Sequence, residues 1–435
     1  MPDSSTPLLS ATTNTTQEQA DESIEVHEET HHVGNTVTEG VYHIICCVAG
    51  SGILQLPYAL NQSGWIGVLL IVFAAFANNY SGRLLVKCLY ANGAPEDRSR
   101  RLKGFSHIGL EAFGDRGRLL VEGFTSTMLL GVPVVYLILA GMNLELIFGV
   151  FSLKVWIAIS AFLVLIPFVT FKTLKEIALL SAFGVFATIV VIGTVVFYAI
   201  HDLPMNSGKV THKFIDMTQF ASALGSVSFS YSGNYIYPEV EASMSNPRDF
   251  SKVLSYSMVI ISAMYLVTAI LGYAAYGNLT TSPILNNLPE GFVSKFSMFV
   301  ITAHVLFAIP VNVTTFSLEM ERQLDLLKVA GGDTTREDRY RVVLRVGIMA
   351  LILILALLVP FFKDFMTLLG ALCNTALIFI FPVLFDFKLF GFQERPLFNK
   401  VFGIVILIVG GFEAIVALVN DINGVPNPGG GGGHF

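Results

Sequence analysis

The sequence predicts an all-α polytopic membrane protein of about eleven transmembrane helices, two of them broken near mid-membrane. Three observations carry that expectation. Hydrophobic residues make up 53% of the 435 residues and charged ones only 13%, with a mean hydropathy of +0.66. Such values suit a chain dissolved in lipid and are poor for a water-soluble enzyme of this length. The apolar residues are gathered into runs of about 20, the length that crosses a hydrocarbon core. Within two of those runs stand short clusters of Gly, Ser and Asn, Ala49-Gly50-Ser51-Gly52 and Tyr231-Ser232-Gly233-Asn234.

Taken in order, the runs lie at 36–60, 64–91, 119–148, 155–171, 177–200, 218–238, 252–276, 293–316, 342–362, 365–387 and 399–420. The first follows a long polar stretch without a basic region or an evident small-residue cleavage site, so it is read as a span and not as a cleaved signal. An odd number of spans puts the two termini on opposite sides. With the N-terminus in the cytosol, only Lys154, Lys209, Lys213, Lys295 and Lys363, of 26 lysines and arginines, fall outside. The positive-inside rule therefore places the N-terminus in and the C-terminus out.

Residues 1–38 form an acidic, Ser/Thr-rich segment without Lys or Arg, expected to be a disordered cytosolic tail. It accounts for much of the net charge of −6, which consequently says little about partners, and nothing points to nucleic acid. Residues 39–420 form the transmembrane domain, and 421–435, rich in glycine, a flexible outer tail. Longer loops are expected at 91–118 and 319–341 on the cytosolic side and at 201–217 outside. Cys46, Cys47, Cys88 and Cys373 all fall in or beside spans, so no structural disulfide is expected. His27-Glu28-Glu29-Thr30-His31 matches the zinc-protease pattern H-E-x-x-H. That chemistry needs a stable helix, a third ligand and a shaped cleft, and an acidic tail offers none of them; neither metal site nor cofactor is expected. Pro7-Leu8-Leu9 resembles a dileucine sorting signal, with Ser4 standing where an acid is usual unless it is phosphorylated. Asn278-Leu279-Thr280 is a glycosylation acceptor in an outer loop.

The two broken runs are the most informative feature. Unwinding a helix in lipid frees N–H and C=O groups that hydrocarbon cannot satisfy, a cost tolerated where the freed groups line a polar cavity. Spans one to five and six to ten each begin with such a break. An odd number of spans per repeat inverts the second repeat relative to the first, the logic of a leucine-transporter-like 5+5 fold with one extra helix. The pattern points to a secondary transporter with its site near the bilayer midplane.

Gly50-Ser51-Gly52-Ile53-Leu54-Gln55-Leu56-Pro57-Tyr58-Ala59, followed by Gly64-Trp65-Ile66-Gly67, resembles the first-helix motif of the amino acid/auxin permease family. Residues 233–244, Gly233-Asn234-Tyr235-Ile236-Tyr237-Pro238-Glu239-Val240-Glu241-Ala242-Ser243-Met244, with Asn246-Pro247, resemble its sixth-helix motif. The resemblance extends over 36–420 and is nearest to the vacuolar and vesicular members. It implies secondary active transport of amino acids, expected to be neutral, by alternating access in a vacuolar, lysosomal or vesicular membrane. The alternative is a transporter-like receptor that senses amino acids with little or no net flux. An enzyme is not expected.

Site residues follow from the zwitterion. Its carboxylate wants N–H donors, which Ala49, Gly50, Ser51 and Gly52 present at the start of a half-helix. Its ammonium wants oxygens, which Ser230, Tyr231, Ser232, Gly233 and Asn234 present. Tyr136 on the third span is a candidate lid or contact, with ordinary packing as the competing reading. Small residues at the two breaks could instead serve close helix packing alone. For coupling, a proton is favoured over sodium. His304 on the eighth span and Glu413 on the eleventh are the ionisable residues near midplane, and His304 is preferred because the eighth span lines the site in this fold. Asn312, Thr314 and Thr315 are the candidates for sodium ligation, against simple interhelical hydrogen bonding.

Overall fold

A computed structural model describes residues 35–93, 98–170, 178–324, 334–359 and 362–422. The acidic tail with its HExxH and dileucine-like motifs, Gly331-Gly332-Asp333 and the glycine-rich tail beyond 422 lie outside these residues.

The first span starts at a capping box that is visible in the sequence Thr36-Val37-Thr38-Glu39. The Thr36 hydroxyl accepts from the Glu39 N–H while the Glu39 carboxylate accepts from the Thr36 N–H at 2.7 Å, which satisfies two orphan donors reciprocally. Helix α1 (Val37–Val48) then stops; a 3₁₀ turn, Ser51–Gln55, leads into α2 (Leu56–Ser63), with the two arms bent by 47°. Pro57 sits in the first turn of α2, where a missing N–H costs nothing. Helices α3 (Gly67–Cys88), α4 (Phe105–Phe148), α5 (Leu153–Thr170) and α6 (Ala178–Asn206) follow. The second interrupted segment is α7 (Phe220–Ser230), a non-helical stretch with a 3₁₀ turn at Asn234–Ile236, and α8 (Tyr237–Ala242), again with a proline, Pro238, in the first turn. The remainder comprises α9 (Phe250–Tyr276), α10 (Phe292–Gln323), α11 (Thr334–Leu358), α12 (Phe362–Leu369), two π-helical turns at Gly370–Asn374 and Ala376–Ile380, α13 (Phe381–Phe390) and α14 (Leu397–Ile422).

Among the described residues, nine helices are long and apolar enough to cross a membrane, and ten if the bent α1/α2 pair counts as one span. The remaining expected run, the sixth at 218–238, is present as α7 and α8, of 11 and 6 residues, each too short alone because the break divides them. Large side chains such as Phe76, Phe162 and Ile408 are about two-thirds exposed, an arrangement that only hydrocarbon accommodates. Burial is uneven. The most apolar windows of α4 and of the 362–390 segment are 72% and 78% covered, whereas those of α5, α11 and α14 are 22–28% covered. The former pair therefore lies central and the latter three lie outermost.

All three expected loops prove partly helical, 201–217 because α6 runs on to Asn206. Within 91–118, α4 begins at Phe105 and kinks at Phe113–Gly114, where Gly114 takes φ +66°. Phe105, Ile108, Gly109 and Ala112 are buried at helical spacing, a stripe that Glu111, Asp115 and Arg116 obscure in a hydropathy reading. Within 319–341, helix continues to Gln323 and resumes at Thr334. Glu321 and Arg341 in it form ion pairs, Glu321 with Arg345 at 3.1 Å and Arg341 with Glu337 at 2.9 Å.

The start of the first broken segment and the end of the second are tied together. The Asn35 N–H donates to Ser243 O (2.8 Å) and the Ser245 N–H to Asn35 O (3.0 Å). Arg101 Nε donates to the buried Glu241 carboxylate at 2.7 Å, with Tyr90 Oη on its other oxygen.

Candidate functional site

The two breaks face each other at the centre of the molecule. Helix α1 ends at Val48, and Gly50 leaves helical geometry with φ −113° and ψ −142°. A Cβ on Gly52 would lie 2.6 Å from Ser230 Cα, so only glycine lets the two backbones meet there. Ser230 Oγ donates to Gly52 O at 3.0 Å across that contact. On the other side Gly233, at φ +153°, leaves room for Val48, whose Cγ2 would stand 2.7 Å from a Cβ.

Three side chains from neighbouring helices hold the unwound backbone. Tyr265 on α9 is fully buried, its hydroxyl 2.9 Å from Val48 O and 2.6 Å from Ser230 O, the carbonyls that end the helix before each break. Asn78 on α3 donates to Tyr231 O at 2.8 Å and accepts from Tyr237 Oη at 3.0 Å, spanning the second break. Thr188 on α6 donates to Ala49 O at 2.9 Å. These are the partners that lipid could not supply.

A cavity of about 60 Å³ lies between the breaks, lined by Cys47, Val48, Gly50, Ser51, Gly52, Val132, Tyr136, Phe229, Ser230, Ser232, Tyr235 and Asn312. It is well below the roughly 300–1,000 Å³ of sites that enclose drug-sized ligands, so the site is contracted in this conformation. Its wall contains no Asp, Glu, Lys, Arg or His. Ser51 Oγ and Ser232 Oγ are buried there with no hydrogen-bond partner among the described residues. Ser51 and Gly52 open a helical stretch, and the first N–H groups of a helix have no acceptor within it. The arrangement offers backbone donors from one break and hydroxyls from both to a small polar solute.

Of the residues singled out by sequence, Gly50, Ser51, Gly52, Tyr136, Ser230, Ser232 and Asn312 come together on this wall. Ala49, Tyr231, Gly233 and Asn234 stand behind it. Tyr231 is fully buried with its hydroxyl 3.0 Å from Ser262 Oγ, and Asn234 is buried with both amide atoms unpartnered. Thr315 Oγ1 donates to Val311 O at 2.9 Å within its own helix, while Thr314 Oγ1 is buried without a partner. His304 lies off the wall, its ring packed on α6, where a Cβ on Gly184 would come 2.5 Å from His304 Cε1. Cys47, Val48, Phe229 and Tyr235 were missed although they flank the Gly/Ser clusters. Val132 was missed although it precedes Tyr136 by four residues and thus shares its helix face. Tyr265, Asn78 and Thr188 give no sequence signal.

The chain is 28% identical over 404 residues to the amino acid transporter AVT1J of Arabidopsis thaliana, covering 88% of this chain and 91% of the relative. It is 25% identical over 405 residues to the vesicular inhibitory amino acid transporter of Mus musculus, covering 90% and 76%. Its fold matches that of the Eremococcus coleocola manganese transporter with a TM-score of 0.53, at 12% identity over 90% of this chain and 88% of the other. A Na+-coupled sialic acid symporter matches with a TM-score of 0.50, at 14% identity over 89% and 91%. The fold is thus the leucine-transporter type of all-helical transporter. The family described as transmembrane amino acid transporter protein spans residues 34–422, and with two opposed breaks enclosing a polar cavity at its centre, the chain belongs to that family.

Proposed function

We propose that the protein moves neutral amino acids across its membrane by alternating access, the solute held between the two breaks and uphill movement driven by protons. The observation that carries the substrate class is the uncharged cavity wall. A zwitterion's own two charges suit helix-end N–H groups and hydroxyls, whereas a cationic or anionic side chain would be buried there without a counter-charge, at several kcal/mol. Alternating access is supported by an asymmetry about the cavity. From Ser51 to Leu60 the outer arm of the first span is buried throughout, while Tyr42 and Cys47 on the inner arm are exposed. On this reading the eleven spans form a 5+5 inverted repeat plus one helix, with the N-terminus cytosolic. The membrane is that of an acidic compartment (vesicle, vacuole or lysosome), a reading supported by a relative named as vesicular.

Uptake of a radiolabelled neutral amino acid by purified, reconstituted protein tests this, with pH and sodium gradients imposed separately. Accumulation should follow the proton gradient and ignore sodium, and His304→Ala should weaken pH-driven uptake more than substrate exchange. A sodium requirement without a pH response would move coupling to Asn312, Thr314 and Thr315. Binding without net flux would make the protein a sensor.

A further inference from the structure

We propose that Glu413, on the outermost helix α14, is a proton-carrying site of this transporter that acts on the second break through Ser228. The inference rests on the proton-coupled reading above and concerns where the proton resides.

Glu413 is fully buried. Its Oε2 accepts from Ser228 Oγ at 3.1 Å, and its Oε1 has no hydrogen-bond partner. The Thr375 hydroxyl is shared between this carboxyl and Gly370 O, 3.0 Å away. The same cluster holds a second buried acceptor without a donor, Asn374 Oδ1, while Asn374 Nδ2 donates to Ser228 O. Two orphan acceptors around one serine mark a missing hydrogen, and a proton on Glu413 Oε1 supplies it by turning an acceptor into a donor.

Among the described residues no cation faces this carboxyl. Helix α7 carries no titratable residue, and the π-helical turns carry only Cys373. Asp386 and Lys388 on α13 and Tyr80 on α3 belong to the other end of α14, where Arg395 and Lys87 pair with Asp386 and Tyr80 Oη donates to Asn399 O. Lys400, on α14 itself, is 13 residues away, about 20 Å along a helix at 1.5 Å per residue. An ionised carboxylate with only the Ser228 and Thr375 hydroxyls for company in the membrane interior is costly, and such groups mark proton pathways.

The cluster is mechanically joined to the substrate site. Ser228 O also accepts from Tyr231 N–H (3.2 Å), the first residue of the break, and Ser230, two residues on, meets Gly52 on the cavity wall. Span ten adapts to this crossing with its two π-helical turns, a form concentrated at functional sites. Here Gly225 and Gly370 touch backbone to backbone. With Glu413 fully buried, its proton can neither enter nor leave in this conformation. Movement of α7 away from α14 exposes the carboxyl and releases Ser228, so proton exchange and opening of the break become one event.

The test uses full-length protein in proteoliposomes. Glu413→Gln, an isostere that cannot release a proton, should lose at least about tenfold of pH-driven accumulation yet keep substrate counterflow within about twofold. Retention of pH-driven accumulation by Glu413→Gln, with its loss in His304→Ala, would overturn the inference while leaving proton coupling intact. Wild-type uptake that ignores the pH gradient would instead defeat the underlying reading. Should Glu413→Gln fail to fold, Ser228→Ala serves: removing this donor to the carboxylate should raise the pH of half-maximal uptake, and an unchanged pH profile would overturn the proposal.

Discussion

Replacing Gly52 with valine should abolish transport while leaving the protein inserted and folded. Carbon atoms in contact sit about 3.5–4.0 Å apart, and a Cβ at position 52 would lie 2.6 Å from Ser230 Cα and 3.0 Å from Ser230 Cβ. The first of these neighbours is backbone and cannot swing aside, so the outer half-helices must separate by about 1 Å. That movement lengthens the 3.0 Å bond from Ser230 Oγ to Gly52 O beyond useful range. Overpacking of this kind costs about 1–3 kcal/mol. At about 1.4 kcal/mol per factor of ten, the upper end amounts to about 100-fold, and a misplacement of about 1 Å in a binding constellation has a similar effect. Gly50→Ala is the internal control, because a Cβ there meets only Tyr136 Oη at an ordinary 3.5 Å; it should lose less than about tenfold. The assay is initial-rate uptake in proteoliposomes, normalised to folded protein by size-exclusion profile and melting temperature. Equal losses in the two variants, or normal uptake by Gly52→Val, would refute the argument that backbone contact between the breaks sets the site.

Four further outcomes are expected. Tyr265→Phe strips a buried hydroxyl from Val48 O and Ser230 O and should destabilise the protein by about 1–3 kcal/mol, read as a lower melting temperature with impaired uptake; an unchanged melting temperature would show that the hydroxyl does not hold the breaks. Cys47 is exposed and on the cavity wall, whereas Cys88 and Cys373 are buried. A thiol reagent should therefore modify Cys47 first, with saturating amino acid slowing the reaction, and labelling indifferent to substrate would remove Cys47 from the site. In the loop between α6 and α7, bonds from Lys213 and Thr218 hold the Asp216 carboxyl down to about 2. Because the folded value lies below the unfolded one, this stabilisation is present above the ordinary carboxylate range and lost only as pH falls through about 2. The melting-temperature gap between wild type and Asp216→Asn should then stay constant from pH 7 to 5 and narrow below about pH 4, and a gap that closes by pH 5 would contradict the assignment. Tags at residue 1 and after Phe435 should lie on opposite sides in protease protection, and protection of both from the same side would end the eleven-span arrangement.

Much of this protein was legible in its sequence because lipid enforces simple rules. Runs of about 20 apolar residues must be spans, and Gly-Ser-Gly inside such a run needs a polar reason. The position of both breaks followed from those rules, which with the resemblance singled out Gly50, Ser51, Gly52, Ser230 and Ser232, now found on one cavity wall; Tyr136, also on that wall, stood in the sequence level between a site contact and ordinary packing. The amphipathic start of α4 escaped because its polar face carries Glu111, Asp115 and Arg116, which a hydropathy window averages against Phe105 and Ile108. Only the tertiary structure could assign Tyr265, Asn78 and Thr188 to the unwound carbonyls, since a tyrosine, an asparagine or a threonine within a span is silent about what it touches. The sequence marked both His304 and Glu413 as ionisable residues near midplane and preferred His304. Packing separated them, seating one ring against a glycine and leaving the other group's carboxyl with hydroxyl neighbours alone and one oxygen unpartnered among the described residues. Periodicity and composition report how a residue meets its solvent; which buried polar group meets which depends on contacts between segments far apart in the chain, and those exist only once the helices have packed.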